Sequence, residues 1–536
     1  MVPTKVPPLS PSTGRDISPQ DPCCLSTYCS PLPLPSHIVN NQLFRNFIPQ
    51  FRCTSRIEFQ LMNFSPVCLL SLVIFVCHLT VLAVASVENG AFVHLFEWKW
   101  SDVAQECEEF LGPMGFQAVQ VSPAMEHIQG NAWWTRYQPV SYKIVSRSGN
   151  ETEFKDMTER CAKAGVSIIA DAVINHMAAA PSGESQGIAG TSFNGRSFEP
   201  YDYNPSNTHH YDGNDNANCV IDDYEDQENV QQCDLDGLVD LDTENSYVQD
   251  IIANYIKNLH DLGADGYRVD AAKHINCNSL SAIISKAPSI YHFQEVIGGV
   301  DEAVTPEMYT PYGDVTEFSY GINLWKVFKE DSDGQAKKLS NFGEEWGMID
   351  SDKAVTFTDN HDTQRSSDNV LTYKDGYNYD MANYFMLAHP YGHPKVMSSY
   401  YFTDDDTGPP GVNVHEDGRL NCDDGKNYVC EHRRTGISGM VKFRKVVGDE
   451  EETQWQSDDD NGNRIAFARG AKGFLAMNMD KNDYWNTELQ TGLPDGEYCN
   501  VIVSDHDKCD GDAKVSVENG NIKVNIPPVQ ALAIHV

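Results

Sequence analysis

The segments Gly266-Tyr-Arg-Val-Asp270, Tyr291-His-Phe-Gln-Glu295 and Val355-Thr-Phe-Thr-Asp-Asn-His-Asp362 share one design, an apolar stretch that ends in a carboxylate. Each reads as a buried parallel strand whose polar residues gather at its C-terminal end. Strands of that kind, far apart in sequence, can bring their end residues together on one face of a barrel. Working outward, strand-like runs at 91–96, 118–123, 167–175, 266–270, 290–296, 314–320, 354–359 and 394–400 alternate with helical periodicity. Eight such runs predict an α/β chain with a (β/α)8 barrel rather than an open sheet. The clearest helix precedes the fourth strand. There Val248, Ile251, Ile252, Tyr255, Ile256, Leu259 and Leu262 recur at three- and four-residue steps, and Gly263 is the stop.

Two further regions depart from the barrel pattern. Residues 177–245 are rich in Gly, Asn, Asp and Tyr, more chain than one crossover needs, and read as a loop-rich subdomain inserted after the third strand. From 447 to 536, runs such as Arg464-Ile-Ala-Phe-Ala, Gly473-Phe-Leu-Ala-Met, Cys499-Asn-Val-Ile-Val and Ala531–Val536 are separated by Gly and Asp turns. They predict a C-terminal antiparallel β-sandwich. The barrel with its insertion then occupies 86–446. Residues 1–61 are a Pro- and Ser-rich low-complexity leader, and a start at Met62 would leave them untranslated. Residues 62–85 read as a signal peptide: an apolar run from Val67 to Val84 closes on the small-residue site Leu82-Ala-Val-Ala85. A single membrane anchor is the alternative, since the run approaches spanning length.

The formal net charge of −38, from 39 basic and 77 acidic residues, excludes nucleic acid as a partner and disfavours a stable contact with an anionic membrane. Nine cysteines follow the signal segment: Cys107, Cys161, Cys219, Cys233, Cys277, Cys422, Cys430, Cys499 and Cys509. In an oxidising compartment they predict four disulfides and one odd thiol, with 219/233, 422/430 and 499/509 close enough in sequence to staple loops. Asn150-Glu-Thr152 is an acceptor for N-glycosylation.

Converging carboxyls suit the cleavage of a glycosidic bond, where one protonates the leaving oxygen and another stabilises the electron-poor carbon. Acidic strand ends that merely cap the next helix are the alternative for any one of them. Arg268 stands two residues before Asp270, so both point into the barrel, where a guanidinium needs a counter-charge.

Six motifs in order carry a family resemblance. They are Phe92-Val-His-Leu-Phe-Glu-Trp-Lys-Trp100, Trp133-Trp-Thr-Arg-Tyr-Gln-Pro-Val-Ser-Tyr142, Asp171-Ala-Val-Ile-Asn-His176, Gly266-Tyr-Arg-Val-Asp270, Phe293-Gln-Glu-Val296 and Asp359-Asn-His-Asp362. From about residue 90 onward the chain resembles the animal-type α-amylases. The resemblance implies Asp270 as nucleophile, Glu295 as general acid/base held protonated near neutral pH, and Asp362 as the third carboxylate. It implies sugar contacts from Trp133, Trp134, Tyr137, Gln138, His176, Lys273, His274 and His361, with the Trp pair exposed in its loop. It implies Ca²⁺ held by the side chains of Asn175 and Asp240 and the carbonyls of Gln231 and His274. It implies chloride held by Arg268, Asn360 and Lys395, where members often carry Arg at the last position; an Arg268–carboxylate ion pair without an anion is the alternative. The implied disulfides are Cys107–Cys161, Cys219–Cys233, Cys422–Cys430 and Cys499–Cys509, leaving Cys277 free. After Asn360-His-Asp-Thr-Gln-Arg365 many members carry a Gly-rich mobile loop, but here Ser366-Ser-Asp-Asn-Val370 follows directly. The expected activity is secreted, monomeric, retaining endo-hydrolysis of α-1,4-glucosidic bonds in starch, glycogen and malto-oligosaccharides. A glucosidase or glucanotransferase on the same barrel, or a non-catalytic carbohydrate-binding protein, are the alternatives.

Overall fold

The computed structural model describes residues 90–536 except 200–202, 211–218, 330–334, 505–508 and 510. The leader and the signal peptide lie outside the described residues. Eight parallel strands close a barrel: β1 (Phe92–Leu95), β2 (Ala118–Val121), β3 (Ser167–Ala172), β4 (Gly266–Val269), β5 (Tyr291–Gln294), β6 (Asp314–Thr316), β7 (Ala354–Thr356) and β8 (His393–Ser398). Each neighbours the next around the ring, and β8 pairs with β1 to close it. All eight fall on the runs read from the sequence.

The runs overshoot at their ends, most at 314–320, where the strand stops at Thr316 and a helix spans Phe318–Phe328. Glu317 accounts for the switch: its side chain accepts a hydrogen bond from the Ser319 N–H at 2.8 Å and so caps the helix. The helix Ser246–Asp261 is capped by Asn245 and buries Val248, Ile252, Tyr255, Ile256 and Leu259. Gly263 ends it at φ 99°.

Inside the barrel, Phe92, Ala118, Ile169, Phe293 and Val355 form an apolar cluster. Burying each large member contributes about 1.5–3 kcal/mol. Beside this cluster the strands also bury polar residues: His94, Gln120, Asp171, Arg268 and Lys395. β4 sits close to β5 because Gly266 has no side chain; a Cβ there would lie 2.7 Å from the Tyr291 carbonyl oxygen. That packing sets Arg268 in register beside Asp171 on β3 and Phe293 on β5.

The excursion after β3 is built of short pieces. His176–Ala179 pairs antiparallel with Leu238–Asp240, a three-stranded sheet spans Glu184–Phe198, and a helix runs from Gln227 to Gln232. After the helix Thr435–Val447, two four-stranded sheets follow. One holds β9 (Glu452–Ser457), β10 (Arg464–Arg469), β11 (Gly473–Asn478) and β16 (Gln530–His535). The other holds β12 (Trp485–Gln490), β13 (Gly496–Cys499), β14 (Lys514–Glu518) and β15 (Asn521–Ile526). Their inner faces share one core that includes Phe474, Trp485, Val524 and Ile534, as a sandwich requires. The run expected to extend from Cys499 as a strand instead turns at residues 501–503. All four expected disulfides are present, and Cys277 stays outside them as a buried thiol that donates to the Met308 carbonyl at 3.6 Å. Among the described residues no helix is long and apolar enough to cross a membrane.

Candidate active site

Backbone hydrogen bonds continue the sheet past the strand ends and aim the carboxyls. The Asp270 N–H donates to the Ala172 carbonyl at 3.0 Å, and the Glu295 N–H to that of Val269 at 2.9 Å. Ala271 then takes a left-handed conformation, φ 49°, rare for a residue with a Cβ. There its N–H donates to Glu295 Oε2 at 2.9 Å. Arg268 ties the group together. Its Nη1 contacts Asp171 Oδ1 at 2.5 Å and Asp270 Oδ1 at 2.8 Å, and its Nη2 contacts Glu295 Oε1 at 2.5 Å. The counter-charge expected for this arginine is therefore three carboxyls. Asp362 stands at the end of the β7 segment with its Oδ2 3.3 Å from His361 Nε2.

Crowding acids into a site with so little water raises their affinity for protons. Burial, with Glu295 and Asp171 adding and Arg268 opposing, holds Asp270 well above the carboxylate range. Burial and then Glu295 push Asp362 up to about 7. Burial also raises Asp171, against the pull of Arg268. Asp171, Asp270 and Asp362 thus hold protons more tightly than exposed carboxyls do.

Around them lies an aromatic wall. His361 stacks on Tyr137, centroids 5.1 Å apart, and on Phe96 at 5.0 Å. The Tyr137 hydroxyl donates to Asp171 Oδ2 at 3.0 Å. Trp133 and Trp134 are half-buried rather than exposed. The indole N–H of Trp133 donates to the Asp405 carbonyl at 2.8 Å and that of Trp134 to Asp406 Oδ1 at 2.9 Å. That loop approaches closely: a Cβ on Gly408 would lie 1.7 Å from the Asn131 carbonyl oxygen.

The other expected sugar contacts are present but already bonded. Gln138 is buried and its Oε1 accepts from the Ala179 N–H at 3.3 Å. His176 Nε2 lies 3.0 Å from the Tyr137 carbonyl, and His274 Nδ1 2.9 Å from that of Val230. Burial lowers both rings to about 4, so both are neutral. Lys273 Nζ donates to the Ile297 carbonyl at 2.7 Å, pairs with Glu302, and lies over the Tyr224 ring.

The donor sets fit the two ions that the sequence suggests. Asp240 is buried and its Oδ1 has no partner. Burial pushes its carboxyl up to about 7, a cost that a neighbouring cation would remove. With the Asn175 side chain and the Gln231 and His274 carbonyls, the donors are all oxygen, as a hard cation prefers. For an anion, Lys395 Nζ reaches Gln120 Oε1 at 3.3 Å, while Gln120 Nε2 is buried without a partner. Burial and then Arg268 lower Lys395 to about 7. Asn360 turns its Oδ1 to the N–H groups of Asp362 at 3.1 Å and Thr363 at 2.8 Å, which leaves its Nδ2 to face another acceptor.

Two residues escape a reading built on three carboxylates. Asp171 lies near the C-terminal end of β3, in register with Arg268, and an acid in that otherwise apolar run was the available signal. The Arg365 guanidinium lies 4.2–5.4 Å from the rings of Phe96, Trp133, Tyr400 and Phe402, and its Nη1 donates to the His361 carbonyl at 2.6 Å. No sequence pattern announces that contact.

Carboxyls gathered around one arginine at the strand ends of such a barrel are the equipment of a glycoside hydrolase, and fold and site together place the chain in that class. Comparison with known proteins narrows it. A family described as "Alpha amylase, catalytic domain" matches residues 106–296, and "Alpha amylase, C-terminal all-beta domain" matches 455–536. The chain is 41% identical over 476 residues to an alpha-amylase of Tenebrio molitor, covering 84% of this chain and 97% of that one. It is 43% identical over 458 residues to a pancreatic alpha-amylase of Mus musculus, covering 78% and 88%. The crystal structure of alpha-amylase I from Eisenia fetida superposes with a TM-score of 0.77 at 36% identity, covering 84% and 98%. The chain belongs to the alpha-amylase family.

Proposed function

We propose that the protein is a secreted, monomeric, retaining endo-amylase that cleaves internal α-1,4-glucosidic bonds of starch, glycogen and malto-oligosaccharides. The observation that carries this is the single Arg268 guanidinium in contact with both Asp270 and Glu295. Carboxyls that share one guanidinium favour the close-set retaining pair, about 5–5.5 Å apart, over the wider inverting pair. A solved relative, the E249Q mutant of the Eisenia fetida enzyme, is a complex with maltohexaose, which supports a malto-oligosaccharide substrate.

In the first step Glu295 gives its proton to the glycosidic oxygen as Asp270 attacks the anomeric carbon. The C–O bond breaks and a glycosyl ester forms on Asp270. In the second, Glu295 takes a proton from water, which attacks the same carbon and releases Asp270. Asp362 orients the sugar and stabilises the positive charge that develops at the carbon. Tyr137, backed by the stacked His361, offers a ring face beside the bond to be cut, and the neutral His176 spends its N–H on the Tyr137 carbonyl and so holds that residue in place. Arg268 keeps Asp270 supplied with a positive partner through both steps.

Asn175, Asp240 and the carbonyls of Gln231 and His274 would hold Ca²⁺, whose contribution is to pin the excursion to the barrel. Arg268, Asn360 and Lys395 would hold chloride, which adds a negative charge that tunes the acids above it.

Reducing-sugar release from soluble starch, with analysis of the oligosaccharides, tests the reading. Mixed short oligosaccharides are expected, and Asp270→Asn should abolish their release. Glucose alone, from chain ends, would point to a glucosidase instead. Unchanged turnover in the variant would remove Asp270 from the mechanism.

A further inference from the structure

We propose that His209, Asp242 and Glu244 form a binding site for a first-row divalent transition cation such as Zn²⁺, beside Asp240, whose Oδ2 meets His209 while its Oδ1 is the oxygen assigned to calcium. These residues lie where two stretches of the excursion meet. The Thr208–Leu241 bridge, the His209 N–H to Asp240 carbonyl bond at 3.2 Å and the Asp242 N–H to Asn207 carbonyl bond at 3.0 Å hold 207–209 against 240–242.

The His209 ring is oriented from behind. Its Nδ1 lies 2.5 Å from Oδ2 of the buried Asp240, which leaves Nε2 turned outward. Nε2 is 2.9 Å from Glu244 Oε2 and 3.7 Å from Asp242 Oδ1. One ligand atom from each of the three residues lies within 4.8 Å of the others.

A tetrahedral ion bound at about 2.0–2.2 Å spaces its ligand atoms roughly 3.3 Å apart. The two separations from Nε2 fall on either side of that value, and the carboxylate oxygens lie within 4.8 Å of each other, so an ion would draw the ligands together by local side-chain movement. A carboxylate behind the histidine is the usual partner of a metal-bound imidazole, since it fixes the tautomer and raises the basicity of the outer nitrogen. Here that carboxylate, Asp240, comes with the fold.

Charge points the same way. Asp242 and Glu244 set two carboxylates beside one imidazole, and a divalent cation offsets them. The nitrogen donor selects the metal class: imidazole suits zinc and its neighbours, whereas calcium and magnesium prefer oxygen alone. The side chains are 13%, 30% and 44% exposed for His209, Asp242 and Glu244, which gives an entry path and room for water at a fourth position. The second mixed cluster, His210 with Cys219 and Cys233, offers no such site because those cysteines are joined in a disulfide.

The competing explanation is an imidazolium paired with carboxylates and no metal. To separate the two, the full chain is stripped with chelator, returned to saturating Ca²⁺ and titrated with Zn²⁺ by calorimetry. His209→Gln and Glu244→Gln are compared, each first shown to unfold at the wild-type temperature in Ca²⁺. The expected result is one Zn²⁺ site in the wild type, weakened at least about ten-fold in both variants, with Ca²⁺ leaving the wild-type affinity unchanged. Co²⁺ should give a visible ligand-field band in the wild type that His209→Gln lacks. Identical isotherms in all three proteins, or a Zn²⁺ affinity that falls as Ca²⁺ is raised, would overturn the proposal.

Discussion

Replacing Asp359 by Asn should stabilise the protein at alkaline pH and do little in acid. Asp359 is wholly buried just past β7. Its Oδ2 accepts from Gln364 Nε2 at 2.6 Å and its Oδ1 from the Thr358 hydroxyl at 3.0 Å. Burial, with Glu431 adding to it, still pushes the carboxyl from its ordinary 3.8 up to about 7. A raised carboxyl favours the folded state while it is protonated. That contribution is complete below its ordinary range and is lost as pH climbs through 7. At about 1.4 kcal/mol per unit, the ionised group costs about 4 kcal/mol at pH 8 and about 2 kcal/mol at pH 5.

Asparagine carries no charge to bury. Its Nδ2 would meet the Gln364 amide, which can flip to present Oε1, an atom buried without a partner in the native arrangement. The flip gives up the bond from Gln364 Nε2 to the Ser399 hydroxyl, a loss of about 1 kcal/mol. The net gain is then about 3 kcal/mol at pH 8, shrinking to about 1 kcal/mol at pH 5. Urea unfolding followed by tryptophan fluorescence, in Ca²⁺ at both pH values, measures it. A variant no more stable than wild type at pH 8, or a gain that does not shrink in acid, would refute the reasoning.

Further outcomes follow from the same geometry. Chloride should activate starch hydrolysis with a lower half-saturating concentration at pH 6 than at pH 8, because Lys395, lowered to about 7, is cationic only on the acid side. Lys395→Gln should lose that pH dependence, which chloride titrations at the two pH values would reveal. Removing Ca²⁺ with chelator should lower the unfolding temperature and loosen the excursion first, seen as faster proteolysis within 177–245 before any cut in the barrel. Replacing Cys107 and Cys161 by Ala opens a bridge that spans 54 residues. The loss should be about 4 kcal/mol in denaturant unfolding if the chain-entropy account holds.

The barrel was legible because buried parallel strands are largely apolar runs, and eight of them recur between helical segments even though several carry a polar residue such as Gln120, Arg268 or Lys395. Their ends were not. Val315 and Phe318 flank Thr316 and Glu317 in a pattern that can be read as an alternating strand, but Glu317 caps the helix that begins at Phe318. Likewise Val501-Ile-Val503 has the composition of a strand, yet the chain turns there after β13. Three of the cysteine pairs could be guessed from spacing. Cys107–Cys161 could not, because its partners are brought together by packing of the helices Trp100–Glu106 and Glu151–Lys163.

In the site, position at a strand end found Asp270, Glu295 and Asp362, and an acid in an otherwise apolar run would have found Asp171. Residue type alone overstated the free sugar-binding groups, since Gln138 and Lys273 spend their polar atoms on nearby backbone or acid. The ring of aromatics around Arg365 and the His209–Asp240 contact join segments that no local pattern connects.

The separate roles assigned to Asp270, Glu295 and Asp362 meet their most direct test in the stereochemistry of the first product. Proton NMR of malto-oligosaccharide hydrolysis, recorded before mutarotation, should show the new reducing ends appearing as the α-anomer, as two displacements through an Asp270 ester require. Initial appearance of the β-anomer would mean that water attacks directly, and the pairing of Asp270 with Glu295 as nucleophile and acid would be wrong.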